Sequence, residues 1–250
     1  MKDSITVQEK IGALLRTSRF AVLLEIAVVV VPLYAGFMVS DRLGSDVVPL
    51  GGDVVILAGP LAYLGLALSL AAVWVASRMR GVSWGEFGLA RQKSWVRTVL
   101  MSLGVALAFF VGIAMLVNPL IRAIPNIGPR DMSHFDPLRR NLPNLIINVV
   151  AVWFTAGFME EFLWRGYLMT RLVDLFGKQT KLAWVIALVV SAVIFGLAHS
   201  YQGPAGIVKT GAAGLLLGVA YLAVGRNLWP LMIAHALIDT MDFVTHYFGG

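Results

Sequence analysis

Long apolar runs alternate with short polar breaks along almost the whole chain. Runs able to cross ~30 Å of hydrocarbon occupy residues 20–39, 54–76, 99–117, about 145–176, 182–198, 207–224 and about 229–248. That is about seven spans. Polar residues and glycines blur the fourth, sixth and seventh, so six to eight spans fit the pattern. The fold class predicted is all-α, a polytopic transmembrane helical bundle. Before the first run, Ile5, Val7, Ile11, Leu14 and Leu15 recur at helical spacing. They predict a short amphipathic helix lying on the membrane. The chain divides into an amphipathic segment (1–19), a first set of spans and loops (20–140), and a later set (141–250) that holds the candidate chemistry. No cleavable signal peptide is expected, because the first run is long enough to span.

Composition agrees. Hydrophobic residues make up 58% and charged residues 14%, with a mean hydropathy of +0.80, far too little polar surface for a soluble domain of this length. There is no cysteine, which excludes disulfides, thiolate nucleophiles and cysteine-bound metal. The net charge is +6. No basic run is dense enough for nucleic acid, so none is expected as a partner, and the excess reads as loop charge. Lys2, Lys10, Arg16 and Arg19 precede the first span, Arg42 alone follows it, and Arg78, Arg80, Arg91, Lys93 and Arg97 follow the second. This alternation predicts a multi-pass protein of the cell membrane with a cytoplasmic N-terminus. Arg122, Arg130, Arg139 and Arg140 in the third loop run against it. The second loop, with Trp84, Phe87 and Leu89, reads as interfacial. The third, rich in proline and asparagine, reads as extramembrane, with His134 and Asp136 as ordinary surface residues. Gly211, Gly214 and Gly218 share a helix face and predict close helix packing.

The polar groups inside apolar helices need a reason, since a charge at mid-bilayer costs roughly 2.5–3.5 kcal/mol on insertion scales. The fourth run contains GFMEEFLWRGYL. Glu161 and Arg165 are spaced i,i+4 with the acid first, the better order for an ion pair. Glu160 points about 100° away. The expectation is therefore a buried Glu161–Arg165 pair and a Glu160 carboxylate free to exchange protons. His199 ends the fifth run, with Phe195 one turn before it. His235 and Asp239 share one face of the seventh. One polar site shared by three helices would offset all these costs. A carboxylate with imidazoles can activate water for amide hydrolysis. By distance along the helices, Glu160 and His199 come level. His235 joins them only if its neighbours start deep or protrude.

These residues carry a resemblance. EEFLWR resembles the E-E-x-x-x-R motif of the CAAX protease and bacteriocin-processing (CPBP, or Abi) family. FGLAH and HALID are similar to its F-x-x-x-H and H-x-x-x-Asn/Asp motifs, in the same order. The resemblance covers residues 157–240, about one third of the chain. It implies an intramembrane endopeptidase related to type II CAAX prenyl endopeptidases. Its substrate would be a membrane-associated protein or peptide, cut in C-terminal tail processing, peptide maturation or bacteriocin immunity. By resemblance the catalytic residues are Glu160, His199, His235 and Asp239, supported by Glu161, Arg165 and Phe195. If a metal is bound, the same four are its ligands. Asp239 stands where many members have Asn. An ionised carboxylate ligates a metal but cannot donate to an oxyanion, which tilts the expectation towards zinc. Two other classes stay open: a proton-coupled transporter, whose flux would need Glu160, and a non-catalytic scaffold, which would work without it. Substrate and oligomeric state are not legible.

Overall fold

The computed structural model describes residues 6–44, 47–177 and 179–249. Lys2 and Ile5, part of the basic and amphipathic readings above, lie outside them. The amphipathic helix is α1, Val7–Thr17. Thr6 and Glu9 close a capping box at its start, and Arg16 Nη1 donates to the Arg80 carbonyl at 2.6 Å, so α1 is tied to the end of a spanning helix.

Among the described residues, six helices are long and apolar enough to cross a membrane: α2 (Arg19–Arg42), α3 (Pro60–Arg80), α4 (Trp95–Arg122), α5 (Leu142–Asp174), α6 (Lys181–Ala198) and α7 (Ser200–Ala223, α-helical from Gly203). The seventh expected run is also helical, α8, Leu228–Tyr247. It carries too many polar groups to rank with the other six. The bundle encloses it instead: Leu231, Ala234 and Ala236 are 0% exposed. Its two histidines, His235 and His246, are buried, so the hydropathy of α8 is low partly for the same reason that it holds candidate chemistry. The protein is an integral, multi-pass, all-α membrane protein.

The second span starts later than the apolar run. Residues 54–57 are not helix but strand β2 (Val54–Leu57), paired antiparallel with β1 (Val47–Gly51). Val47 faces Leu57 and Val48 faces Ile56, with an irregularity between Pro49 and Gly51. Gly51 and Gly52, both at positive φ, make the turn between two valine-rich segments. That is a hairpin signal hidden inside a run that hydropathy reads as one span. Asn144 and Asn148, one turn apart on α5, clip the hairpin. Their Oδ1 atoms accept from Val55 N at 2.9 Å and Leu57 N at 2.7 Å.

The two loops also differ from expectation. Residues Trp84–Phe87 form a 3₁₀ turn, and Phe87 is core, not interface: 1% exposed and edge-on to Phe162 and Tyr167. The third loop folds back onto the bundle. Its Leu138 is fully buried, and its backbone donates from Asp131 to the Gln202 carbonyl and from Arg140 to the Tyr247 carbonyl. His134 is therefore half-buried, while Asp136 stays exposed as expected. The His134 ring packs against Tyr201, and Asp136 meets Arg139 Nε at 3.0 Å and His246 Nε2 at 3.5 Å.

Gly211, Gly214 and Gly218 all face α6, against Gly196, Phe195 and Leu188 respectively, which is the tight packing expected of small residues. A second buried ionic cluster, unforeseen, holds α2, α3 and α5 together. Glu25 takes Arg80 Nη2 at 2.6 Å and the Tyr167 hydroxyl at 3.0 Å, while Arg171 Nη1 reaches Asp174 at 2.6 Å.

Candidate active site

The site grows from one unusual helix. α5 turns as a π-helix over Trp153–Glu160 and again over Phe162–Leu168, on either side of Glu161. π-turns are rare and concentrate at functional positions. Here Glu160 ends the first and Glu161 stands between the two, and the acids lie on different faces. Glu161 is fully buried (0%). Its Oε1 accepts from Arg165 Nη1 at 2.8 Å and contacts His235 Nδ1 at 2.7 Å. Its Oε2 is buried without a hydrogen bond from the described protein atoms. Glu160, by contrast, is only partly covered and lines a cavity of about 360 Å³.

His199, His235 and Asp239 line the same cavity. His199 follows the last residue of α6, and its Nδ1 lies 2.9 Å from the Phe195 carbonyl. A carbonyl only accepts. Nδ1 therefore carries the proton in the neutral ring, and Nε2 holds a lone pair. Phe195 does two jobs: its ring lies under the Arg165 guanidinium at 4.7 Å and beside His199, also at 4.7 Å. On α8, His235 is buried between two carboxylates, with Nδ1 on Glu161 and Nε2 3.6 Å from Asp239 Oδ2. The structure thus brings together all seven residues singled out in the sequence. It adds one bond the sequence did not reveal, His235 to Glu161.

The depth puzzle has a specific solution. α8 starts deep, because Leu228 N donates to the Gly88 carbonyl at 3.1 Å. Gly88 can turn there at φ +99, and a side chain on Gly166 would press into the Phe87 carbonyl and Leu228. Leu228 is therefore level with Gly166, about 9 Å along α5 from Glu160. His235 lies about 10 Å along α8 from Leu228, at ~1.5 Å per residue. The two helices then close face to face at Gly157, where a Cβ would stand 2.9 Å from that of Ala236.

One comparison bears on the family of this segment. Residues 142–241 match the model described as type II CAAX prenyl endopeptidase Rce1-like. The matched segment belongs to the Rce1-like family. Comparisons with curated proteins and with solved structures find no match. The Rce1-like segment runs from the first turn of α5 to Met241 in α8, and so contains every residue of the site just described. The match covers 100 of the 250 residues and likens this segment, in general terms, to a CAAX-type intramembrane protease.

A resident metal needs several donors that meet at one point. Among the described residues, no three His, Cys, Asp or Glu side chains converge closely enough to hold an ion. His235 and Asp239, two of the four expected ligands, face each other instead of a common point. In this arrangement the residues of the Rce1-like core do not fit a resident zinc.

The cavity wall also holds residues that the sequence reading passed over. Arg130 comes from the third loop, Tyr201 from the turn after His199, and Lys209 and Asp242 from α7 and α8. Lys209 was findable: a lysine inside an otherwise apolar run is a signal by itself.

Proposed function

We propose that the protein hydrolyses a peptide bond of a membrane-associated protein or peptide, with Glu160 as the base that takes a proton from water. What supports this best is the division of labour between the adjacent glutamates. Glu161 is consumed by Arg165 and His235, while Glu160 faces the cavity beside the open nitrogen of His199. In this reading the attacking water donates one hydrogen to Glu160 and the other to His199 Nε2, and its oxygen adds to the scissile carbonyl. His235, held as a cation by Glu161 and Asp239, offers Nε2–H to the oxyanion. The proton on Glu160 then passes to the leaving amine. Every group in this sequence is a side chain of the chain, and the reading needs no metal.

A survey of protein termini in host membranes tests it. Cells making the wild type are compared with cells making Glu160→Gln at equal, folded levels. New C-termini that require Glu160 are expected. Identical termini in the two strains would sink the protease reading and favour a transporter or scaffold.

We also propose that the N-terminus is cytoplasmic. The loops on the side of α1 carry Arg78, Arg80, Arg91, Lys93, Arg97 and Arg226 against few acids, and Trp95 packs on Trp229 there as interfacial tryptophans do. The absence of native cysteine makes the measurement clean. In intact cells a membrane-impermeant maleimide should label Ala123→Cys and spare Lys93→Cys. The reverse pattern would invert the topology.

A further inference from the structure

We infer that a basic recess on the α1 side of the bundle is a binding site for a phosphate ester, the headgroup phosphate of an anionic lipid in that leaflet. The recess is separate from the active-site cavity, and the inference does not rest on the protease reading. Its volume is about 1170 Å³, roomy for a headgroup. It lies where helices end: Arg80 closes α3, Asp174 closes α5, Ser94 caps α4 and Asn227 caps α8.

Charge is the first argument. Among the described residues, seven cationic and two acidic side chains line the recess. Four of the cations are engaged. Arg16 holds the Arg80 carbonyl, Arg80 holds Glu25, Arg171 holds Asp174, and Arg226 lies 4.7 Å from the Trp184 ring. The other three, Arg91, Lys93 and Arg97, are exposed, and no acid among the described residues is paired with them. Both acids are engaged: Asp174 by Arg171, and Glu86 Oε1 by Ser83 N at 3.2 Å. Even with Glu25 counted behind the wall, seven cations face three acids.

The recess is also built, which loop charge alone would not require. Arg80 and Arg171 in its wall are 5% and 4% exposed. Arg171 Nε is buried without a hydrogen bond, 3.9 Å from Glu25 Oε1. The loop that carries Arg91 and Lys93 is pinned to the start of α8. Gln92 Oε1 accepts from Asn227 Nδ2 at 2.8 Å and from Thr98 Oγ1 at 3.0 Å, and Trp229 Nε1 donates to the Ala90 carbonyl at 3.0 Å. Because Ser94 and Asn227 line the recess, the positive ends of two helix dipoles converge on it.

A lipid suits the site better than a free anion. Val82, Met101, Val173 and Val224 share the wall with the cations, and the Trp95–Trp229 pair beside it marks the membrane interface. A headgroup there would join the start of α8 to the end of α5, the helices that carry His235 and Glu160.

The test uses the full-length protein, stripped of lipid in a non-ionic detergent and titrated with phosphatidylglycerol, phosphatidylcholine or inorganic phosphate. Native mass spectrometry counts bound lipid, and the rise in unfolding midpoint reads all three. Phosphatidylglycerol should be held in preference to phosphatidylcholine. Lys93→Gln/Arg97→Gln, at exposed positions, should weaken its apparent Kd by roughly 10- to 100-fold. Lys10→Gln/Arg19→Gln, which removes two charges from the same side outside the recess, should leave it nearly unchanged. Equal losses in the two double variants, or equal retention of the two lipids, overturn the site. Inorganic phosphate that binds through Lys93 and Arg97 while no lipid is held overturns the lipid source and assigns the recess to a soluble phosphate ester.

Discussion

Glu160→Gln should lower kcat for peptide cleavage by about 10²- to 10⁴-fold, the usual contribution of a general base, with little change in KM. The amide keeps the shape of the side chain but cannot take a proton. The fold should tolerate the change, because Glu161, not Glu160, carries the bonds that join α5 to α8. Single-turnover kinetics on a purified, monodisperse variant would measure it. A variant within a few-fold of wild type would remove Glu160 from the chemistry.

Arg165→Met is expected to act on stability first. Arg165 is 2% exposed and Glu161 0%, and removing one partner of a buried pair costs about 3–5 kcal/mol because the other charge is stranded. The loss should appear as a lowered unfolding midpoint in detergent. The double variant Glu161→Gln/Arg165→Met should regain part of it, since no charge is then left unpaired. Activity should not return with it. His235 would have lost the ionised acceptor on Nδ1 that favours its cationic form. Recovery of both together would mean that Glu161 serves the fold alone.

How far the sequence carried depended on the range of each interaction. The Glu161–Arg165 bond was legible because it is local: i,i+4 spacing on one helix places the two groups in reach whatever surrounds them. The glycine face of α7 was legible for a similar reason. The His235–Glu161 bond was not, because it depends on how deep α8 begins, and that is set by a backbone bond from Leu228 to Gly88, far away in the chain. The hairpin at 47–57 was hidden because hydropathy does not distinguish a valine-rich strand from the start of a span. Its Gly51–Gly52 turn was the available cue. Glu25 lay inside an apolar run and was overlooked, yet it pairs with Arg80 and Tyr167. Phe87 was misplaced because an aromatic residue among basic ones suits a membrane interface as well as a core. The π-turns around the glutamates have no recognisable residue signature here; with ordinary helical geometry the two acids still separate, so the expected placement of Glu161 against Arg165 holds either way.

The cavity is lined by the end of α2, the start of α3, the third loop, the turn after α6 and the last turns of α8. In an up-and-down bundle all of these lie on the side opposite α1. With α1 in the cytoplasm, the mouth faces away from the ribosome's compartment. A polypeptide must then be exported, or threaded across, before its end can be trimmed. On the proposed topology and activity, secretion would be the step that licenses cleavage, and newly made cytoplasmic chains would be spared without any inhibitor.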